Sequence, residues 1–534
     1  MHTCTEATLN FDLRKNRERG LYTLLVPMER STERVFADLV QWITRSSDGG
    51  VVHESLELKG DGDGNGNGTA RGVFAKKAIS KGETLVALPA NLAVSGSQLP
   101  NSYGDGDRDR RVSNWLRCIA AYYEARQKGH HFQPYLNSLP SAYDSLLEWS
   151  DDEVTDLLAG TALCSLVLKD RKDKVLETRF QEAVRPYLKH VGLIPSSESM
   201  TEEMTAFREA CMCVSTRGFH LQEAVSSSLY SGPFLLPFID LLNHDPSRKC
   251  TTLQYAKNRF YMEAERDVAA GEEICHSYAA NLTSAEVLKT FGFIPDSSIG
   301  AAERGVAVGD HVTPAIISKS EMLSACQSVA KSSFPSTVRS YMESSKMLEE
   351  EESWDLAFDF SNRDLSFLPD DFIVPSQNPL SDELVTVCSI LFLPSDVHSE
   401  FIKGGATLLE RNMLDDYYLG KIVCKAIQVA VTEKLATYSP VKIPEVEAAK
   451  TEDDKMLLRE IRHTPDLQRA VFALTIRLEE KSCLAALRSD IFYISDALGG
   501  IPLSTKDVGT AISQHVPDKS DRGEPEEKKA KHVQ

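Results

Sequence analysis

The sequence predicts an α+β protein in which an antiparallel, strand-rich unit precedes a helical region. Two short alternating segments, 252–255 and 260–262, flank the turn-prone pair Lys257-Asn258, a pattern typical of a β-hairpin. Further along, apolar residues recur every three or four positions in 419–435 and in 467–478, which is the period of an amphipathic helix. Strands are therefore expected mainly in the first part of the chain, and helices in the second.

Length and composition are those of a globular protein. The 534 residues are enough for two or more domains with sizeable cores. A hydrophobic content of 42% with 26% charged residues lies in the ordinary globular range. No apolar run approaches the roughly 18 residues that a transmembrane helix needs. Residues 1–20 lack the apolar stretch of a secretory signal, whereas an organellar transit peptide stays open as an alternative.

The net charge and the cysteines limit which binding partners and which cellular compartment are compatible with the sequence. The formal net charge of -19 argues against binding to a nucleic-acid backbone and is compatible with a basic protein substrate. The 11 cysteines are scattered and form no CxxC pair, which disfavours structural zinc and favours a reducing compartment. We therefore expect an intracellular monomer, cytoplasmic or nuclear, that binds neither nucleic acid nor membrane.

Three elements are predicted at the start of the chain. Residues 34–43 have apolar positions at helical spacing, and residues 51–58 read as a strand. Residues 61–68 resemble the opening of an EF-hand calcium loop, but the twelfth position is Gly72 where a bidentate glutamate is needed. This glycine-rich segment is therefore predicted to be a surface loop, and no metal site is expected.

One local pattern occurs twice. The spacing Ala-x3-Ile-x2-Gly-Glu in 75–83 returns as Ala-x3-Val-x2-Gly-Glu in 264–272. The chain is therefore predicted to use the same strand, turn and strand arrangement at both places. The alternative is two unrelated β-turns in which glycine occupies a position of positive φ.

Between about 99 and 214 the pattern is helical. Ser150-Asp-Asp-Glu153 reads as a capping box that begins a helix, with Val154, Leu157 and Leu158 on one face. This stretch is predicted to be a helical insertion between the two strand-rich segments.

The most informative stretch runs from Pro237 to Tyr278. Asp240 interrupts an apolar run, and the pair Asn243-His244 closes it. A strand is predicted from Glu273 to Tyr278. Polar side chains at the ends of an antiparallel unit indicate a site without naming a reaction.

The segments DLLNH (240–244) and GEEICHSY (271–278) resemble the carboxy-terminal half of a SET domain. This resemblance implies a knotted β-rich fold, S-adenosylmethionine (SAM) as cofactor, and Tyr278 at the methyl-transfer point. It also implies that Asn243, His244 and Tyr278, with the nearby Asp240, contribute to cofactor binding.

Further segments extend the resemblance at the cofactor site. RGVFA resembles the opening motif of the family, which assigns Arg71, Gly72 and Val73 to the cofactor side. The phrase PYLNSLP and the W-S-x-x-E pattern resemble the branch of RuBisCO large-subunit methyltransferase. In that branch the STRGF segment lines the cofactor site, which carries over to Thr216 and Arg217.

Two of these assignments keep alternatives. Arg217 is expected to pair with the SAM carboxylate in a bidentate manner, the alternative being an ordinary ion pair on a helix surface. Phe293 is expected to form a wall of the site, although an aromatic beside a glycine is usually part of a core.

The resemblance also divides the chain into domains. It implies an N-terminal extension (1–32), a SET domain (33–296) that includes the insertion, an all-α substrate-binding domain (297–500) and a disordered tail (501–534). The predicted function is SAM-dependent methylation of a lysine side chain on a protein substrate. Methylation of histidine and a catalytically degenerate SET scaffold remain alternatives, while P-loop, GxSxG and HExxH chemistry has no motif in the chain.

Overall fold

A computed structural model of the chain describes residues 32–59, 72–104, 110–127, 131–140, 142–194, 200–221, 232–278, 282–306, 309, 311–332, 360, 363, 365–392, 398, 417–443 and 453–497. The glycine-rich loop at 61–68, Arg71 and the predicted tail lie outside these residues.

The strands follow one another in this order: β1 Val51–Val52, β2 Leu56–Lys59, β3 Gly72–Ala75, β4 Thr84–Pro89, β5 Val94–Ser95, β6 Ser102–Tyr103, β7 Arg110–Arg111, β8 Gly218–Phe219, β9 Phe234–Leu235, β10 Asn243–His244, β11 Thr251–Ala256, β12 Arg259–Ala264, β13 Cys275–His276, β14 Ala315–Ser318 and β15 Asp371–Val374.

The α-helices are α1 Thr32–Thr44, α2 Asn114–Gln127, α3 Gln133–Leu136, α4 Asp151–Leu157, α5 Ala162–Lys172, α6 Val175–Arg179, α7 Arg185–His190, α8 Met200–Arg217, α9 Ser284–Phe291, α10 Asp296–Arg304, α11 Lys319–Ser332, α12 Asp382–Leu391, α13 Tyr417–Ala436, α14 Asp454–Ile461 and α15 Gln468–Ala497.

The largest sheet is antiparallel and has the strand order β1-β4-β12-β11. The predicted hairpin is confirmed as its β11–β12 pair, which the structure extends beyond the alternating residues. Lys257 and Asn258 both adopt positive φ, 49° and 62°, as a tight two-residue hairpin turn requires. The right-handed twist of the flanking strands favours this turn over its mirror image.

The repeated motif is confirmed, and its two copies are paired with each other. Ile79 and Val268 exchange backbone hydrogen bonds of 3.0 and 2.9 Å. Each turn glycine then donates to the first alanine of the other copy, Gly82 to Ala264 at 2.8 Å and Gly271 to Ala75 at 2.7 Å. The two segments are therefore related by a local two-fold arrangement that fixes both ends of the strand-rich unit together.

Two strand predictions are corrected by the structure. The predicted strand over 51–58 is two strands in different sheets, because a turn at 53–55 separates β1 from β2. The predicted strand from Glu273 to Tyr278 is reduced to β13 and one isolated bridge at Glu273. In contrast, the predicted first helix is confirmed as α1, whose Leu39 and Ile43 are fully buried.

The helical insertion is confirmed, and it packs onto the strand-rich unit in one large core. The capping box at Ser150 is present: its hydroxyl accepts from the Glu153 N–H while the Glu153 carboxylate accepts from the Ser150 N–H. Val154 and Leu158 are fully buried, as the predicted apolar face requires. The insertion also contains the short hairpin β6–β7, which its sequence did not indicate.

Beyond Asp296 the chain is mainly helical but not all-α. The antiparallel pair β14–β15 packs in the same core as α11, α12 and α13, which corrects the expectation of a purely helical domain. The two predicted amphipathic helices are confirmed as α13 and α15, the second being longer than its periodic part. The domain boundary at 296 stays a prediction, because a third core joins α4 and α5 of the insertion to α10, α14 and α15.

Within the described part of the chain, no helix combines the length and apolarity needed to cross a bilayer. The same residues contain no cluster of three or more His, Cys, Asp or Glu side chains arranged for a metal ion.

Helix α15 carries two adjacent buried carboxylates, Glu479 and Glu480. Glu480 accepts from the Tyr438 hydroxyl at 2.6 Å and from the Ala162 N–H at 3.2 Å. Burial raises the pKa of each carboxyl to about 7, because the interior disfavours the charged form.

The raised pKa of Glu480 predicts a pH-dependent loss of stability. An unfolded glutamate has a pKa of about 4.3, so on raising the pH the unfolded chain releases this proton first. The stability present at low pH is therefore lost as pH rises toward 7. Glu480→Gln keeps the shape of the side chain but does not titrate. From pH 5.5 to pH 8.5, the free energy of unfolding of wild type should therefore fall by roughly 2 kcal/mol more than that of the variant. Urea unfolding of both proteins at both pH values measures this difference. An equal change in the free energy of unfolding of the two proteins would contradict the prediction.

The segment after α9 makes a close contact with the insertion. Gly292 ends α9 with a φ of 81°, and a Cβ added there would lie 2.3 Å from the backbone oxygen of Asp144. Gly271 has a similar φ of 84° but has no atom within 4 Å of an added Cβ. The two glycines therefore separate the cost of a left-handed backbone from the cost of a steric clash.

Gly271→Ala should lower the free energy of unfolding by about 1–2 kcal/mol, the cost of the left-handed conformation alone. Gly292→Ala should cost about 1–3 kcal/mol more, because the neighbouring atom is rigid backbone. Urea denaturation of both variants compares the two costs. Equal losses would show that the backbone around Asp144 yields freely.

Candidate functional site

The site is built on a parallel pair of short strands, β10 and β13. Asn243 lies opposite Cys275 and His244 lies opposite His276. The Asp245 N–H extends the contact by donating to the His276 carbonyl at 3.1 Å. Residues 32 positions apart in the sequence are thereby held side by side, and the chain leaves β13 directly beside His244.

Tyr278 is fixed at this point by two hydrogen bonds. Its hydroxyl donates to the Leu242 carbonyl at 2.7 Å, and its backbone N–H donates to Nδ1 of His244 at 3.0 Å. Burial raises the pKa of Tyr278, so the phenol stays protonated at neutral pH. Because its proton is engaged by Leu242, the hydroxyl oxygen retains lone pairs as acceptors.

His244 is a neutral part of the scaffold. A backbone N–H can only donate, so Nδ1 of His244 is the acceptor and the ring proton lies on Nε2. Burial lowers the pKa of His244 to about 4, which keeps the ring uncharged at physiological pH. The imidazole therefore orients Tyr278 without adding charge to the site.

Aromatic rings surround Tyr278. The ring centroid of Phe291 lies 5.0 Å away, that of Phe219 6.3 Å and that of Phe293 6.4 Å. Phe293 also lies 6.2 Å from the ring of His244 and packs against a hydrophobic core, so its role as a wall of the site stays a prediction. These rings make the surroundings of the Tyr278 hydroxyl largely apolar.

A narrow cavity of about 20 Å³, close to the size of one water molecule, opens at the Tyr278 side chain. Its lining combines the end of α8, strand β8 and the segment before β10: Thr216, Arg217, Gly218, Phe219, Asp240, Tyr278 and Phe291. Four residues assigned from the sequence, from three separate segments, thus meet at this cavity with Phe219, which the sequence did not single out.

A buried ion pair forms one side of the cavity. Arg217 Nη1 lies 3.3 Å from Asp240 Oδ2 and donates to the Asp240 carbonyl at 2.9 Å. Tyr135, from the insertion, donates its hydroxyl to the same Asp240 oxygen at 2.9 Å. The side chains of Arg217 and Asp240 are only 15% and 1% exposed, so the pairing is not the helix-surface ion pair considered as an alternative. Arg217 Nε is buried, and none of the described residues accepts a hydrogen bond from it.

A second group of assigned residues meets at Asn243. Its side-chain amide donates to Glu273 Oε1 at 2.8 Å. A Cβ added to Gly72 would lie 2.6 Å from that carboxylate oxygen and 3.0 Å from the Asn243 amide nitrogen. Gly72 is therefore needed for close approach of the β3 backbone. Val73 is fully buried, so its side chain belongs to the core, and its cofactor role stays a prediction.

Thr216 and Arg71 complete the assigned residues. Thr216 donates its hydroxyl to the Met212 carbonyl one turn earlier in α8, at 2.7 Å. It lines the cavity from the helix end. Arg71 lies outside the described residues, and its cofactor role stays a prediction.

Sequence reasoning missed Phe219, Glu273 and Tyr135. Phe219 follows Arg217 by two residues, a spacing that on its own predicts nothing about a shared cavity. Glu273 lies in the GEE segment, and Tyr135 in the PYLNSLP phrase, but neither motif states which partner its side chain contacts. These contacts depend on segments more than 20 residues apart and become visible only in the fold.

The chain is similar to known proteins in sequence and in fold. The SET domain model matches residues 70–279. The chain is 25% identical over 289 residues to actin-histidine N-methyltransferase from Homo sapiens, covering 53% of this chain and 46% of that protein. It is 26% identical over 249 residues to ribosomal lysine N-methyltransferase 4 from Saccharomyces cerevisiae, covering 42% and 49%. The chain thus spans about half the length of the curated relatives that it matches.

A solved structure of the SET domain of LSMT, bound to lysine and AdoHcy, matches with a TM-score of 0.54 at 17% identity. The match covers 88% of this chain and 93% of that one, so the likeness extends well beyond the SET segment and concerns the fold. Residues 70–279 thus match the SET domain model, and the chain has an α+β fold similar to that of Rubisco LSMT.

Proposed function

We propose that the chain is a SAM-dependent protein-lysine N-methyltransferase. The observation that carries this proposal is the placement of Tyr278. Its hydroxyl is anchored to Leu242 and its backbone to His244, at the narrow cavity that Arg217 and Asp240 also line. The solved relative of this fold is bound to AdoHcy, the demethylated form of SAM, and to lysine.

The residues present fit a cofactor that carries a carboxylate and lies close to backbone. Arg217 has a buried Nε–H without an acceptor among the described side chains, and a guanidinium can hold a carboxylate through two N–H groups. Gly72 leaves room beside Asn243 that a Cβ would fill. We assign Gly72, Val73, Thr216, Arg217, Asp240, Asn243, His244 and Phe293 to cofactor binding, together with Arg71.

When bound, SAM would supply the methyl group of its sulfonium sulfur: the N–C bond to a neutral amine would form as the C–S bond breaks and AdoHcy leaves. The chain must therefore align the amine and exclude water. The rings of Phe219 and Phe291 border the cavity and remove the amine from solvent, which favours its neutral, nucleophilic form. The lone pairs that the Tyr278 hydroxyl keeps, once its proton is held by Leu242, are placed to accept from the amine or from the polarised methyl hydrogens.

Further parts of the proposal concern the architecture. We infer that the crossing of 243–244 with 275–278 forms the knot typical of SET domains, supported by the parallel β10–β13 pair. The region beyond 296 is proposed to bind the protein substrate. The ten described cysteines are free thiols, which supports an intracellular, reducing location, cytoplasmic or nuclear. The protein is proposed to act as a monomer.

The first test separates chemistry from cofactor binding. Tyr278→Phe should lower turnover by about 100-fold or more, because the hydroxyl acts at the transferring methyl rather than on the bound cofactor. Affinity for S-adenosylhomocysteine (AdoHcy), measured by calorimetry, should change less than about threefold. Turnover is followed as transfer of the label from labelled SAM to proteins in an extract of the organism that encodes the chain.

Tyr187→Phe is the matched control. The Tyr187 hydroxyl also donates to a backbone carbonyl at 2.7 Å, that of Pro100, in the insertion. This variant loses the same kind of hydrogen bond and should keep wild-type turnover. Full activity in Tyr278→Phe, or an equal loss in both variants, would remove Tyr278 from the mechanism. A wild-type protein that binds no AdoHcy would instead favour a degenerate SET scaffold.

The identity of the methyl acceptor is tested by the pH dependence of kcat/KM and by mass spectrometry of the methylated product. One curated relative is named as a histidine methyltransferase and another as a lysine methyltransferase, so both acceptors are considered. Lysine has an unperturbed pKa near 10.4 and histidine near 6.5. With lysine as acceptor, kcat/KM should keep rising through pH of about 8 to 9, because the neutral amine grows more abundant. A plateau just above neutrality, with a methylated imidazole and no methylated lysine in tandem mass spectra, would replace lysine by histidine.

A further inference from the structure

Glu479 connects the carboxy-terminal helices to the segment that follows the SET site. Its side chain projects from α15, and the residue is 2% exposed. One carboxylate oxygen accepts from the Ser284 hydroxyl at 2.8 Å, and the other accepts from the Thr313 N–H at 2.9 Å. Among the described residues no lysine or arginine pairs with it.

Both donors help to hold the amino-terminal end of helix α9 in place. Ser284 is the first residue of α9, and its backbone N–H donates to the His311 carbonyl at 3.0 Å. The hydroxyl of Thr313 accepts from the N–H of Ala285 at 3.0 Å. The first turn of α9 is therefore bound to residues 311–313, and Glu479 binds both of these segments.

The other end of α9 reaches the site. Phe291 is its last residue and lies 5.0 Å from the ring of Tyr278. Phe293 follows after Gly292 and lies 6.2 Å from His244. Helix α9 has eight residues, so it is about 12 Å long and links the two ends as one short rigid unit. A helix this short is marginal on its own, so the contacts at its ends determine its position.

Packing alone does not determine that position. A cavity of about 180 Å³ lies between α9, α10 and α15, and Glu479, His311, His244 and Ser284 are among its lining residues. Void space beside a helix leaves room for it to move once a hydrogen bond is lost. The titratable groups near Glu479 are His244 and His311 across the cavity, with Glu480 and Cys483 on its own helix.

We propose that Glu479 is a positioning residue for the site: by holding Ser284 and Thr313 it keeps Phe291 and Phe293 in place against Tyr278 and His244. The carboxy-terminal region thereby acts on cofactor binding as well as on any substrate. This inference rests on the proposed function for the choice of ligand, AdoHcy.

The test compares two variants, each of which removes one hydroxyl that donates to one of two adjacent buried carboxylates. Ser284→Ala removes the hydroxyl that donates to Glu479, and Tyr438→Phe removes the hydroxyl that donates to Glu480. The dissociation constant of AdoHcy, measured by calorimetry well below both melting temperatures, should rise about three- to tenfold in Ser284→Ala, the range of one hydrogen bond. It should stay within about twofold of wild type in Tyr438→Phe, which loses a comparable bond away from α9.

Glu479→Gln supplies a second readout. A glutamine can accept from the Thr313 N–H through its oxygen and donate to the Ser284 hydroxyl through its nitrogen, so placement should persist and affinity stay within about twofold of wild type. Equal affinities in Ser284→Ala and Tyr438→Phe, or a loss in Glu479→Gln as large as in Ser284→Ala, would overturn the inference. A wild type that binds no AdoHcy would count against the proposed function itself, which separates the two failures.

Discussion

The parallel pairing of residues 243–244 with 275–276 is the constraint on which the site depends. Two residues of each strand are enough, because the flanking backbone hydrogen bonds from Asp245 and Cys250 continue the contact. The pairing sets Tyr278 beside His244 and within reach of the Leu242 carbonyl. The repeated turns around Gly82 and Gly271 hold the strand that leads into this crossing, since each donates to the other copy.

Burial then decides the protonation state of the groups that meet there. Burial keeps His244 neutral by lowering its pKa and keeps Tyr278 protonated by raising its pKa. At the cavity itself, the buried cation Arg217 is paired with Asp240. Under the proposed function, an acceptor amine would enter surroundings made of rings and a paired arginine and carboxylate, which disfavour its charged form.

The sequence allowed the fold class, the hairpin, the insertion and the main helices to be predicted, because each depends on local periodicity or on capping and turn residues. Motif positions likewise predicted that Asn243, His244 and Tyr278 would belong to one site, and the structure places Tyr278 in contact with His244, the neighbour of Asn243. The ion pair of Arg217 with Asp240 could not be predicted, because the sequence does not fix the distance between the end of α8 and the segment before β10. The same holds for Phe219 and Glu479, whose partners lie on distant segments.

The expectation of an all-α carboxy-terminal region failed because the two strands of the β14–β15 pair are only four residues long and more than 50 residues apart.

A crystal structure with bound AdoHcy would show whether the cofactor reaches the Tyr278 hydroxyl, where the acceptor is proposed to meet it. We expect AdoHcy against Asn243, His244 and Gly72, with its carboxylate at Arg217 and its sulfur facing the cavity that Tyr278 lines. AdoHcy bound elsewhere, for example in the cavity beside Glu479, or a Tyr278 side chain released from Leu242 and turned away from the sulfur, would contradict it.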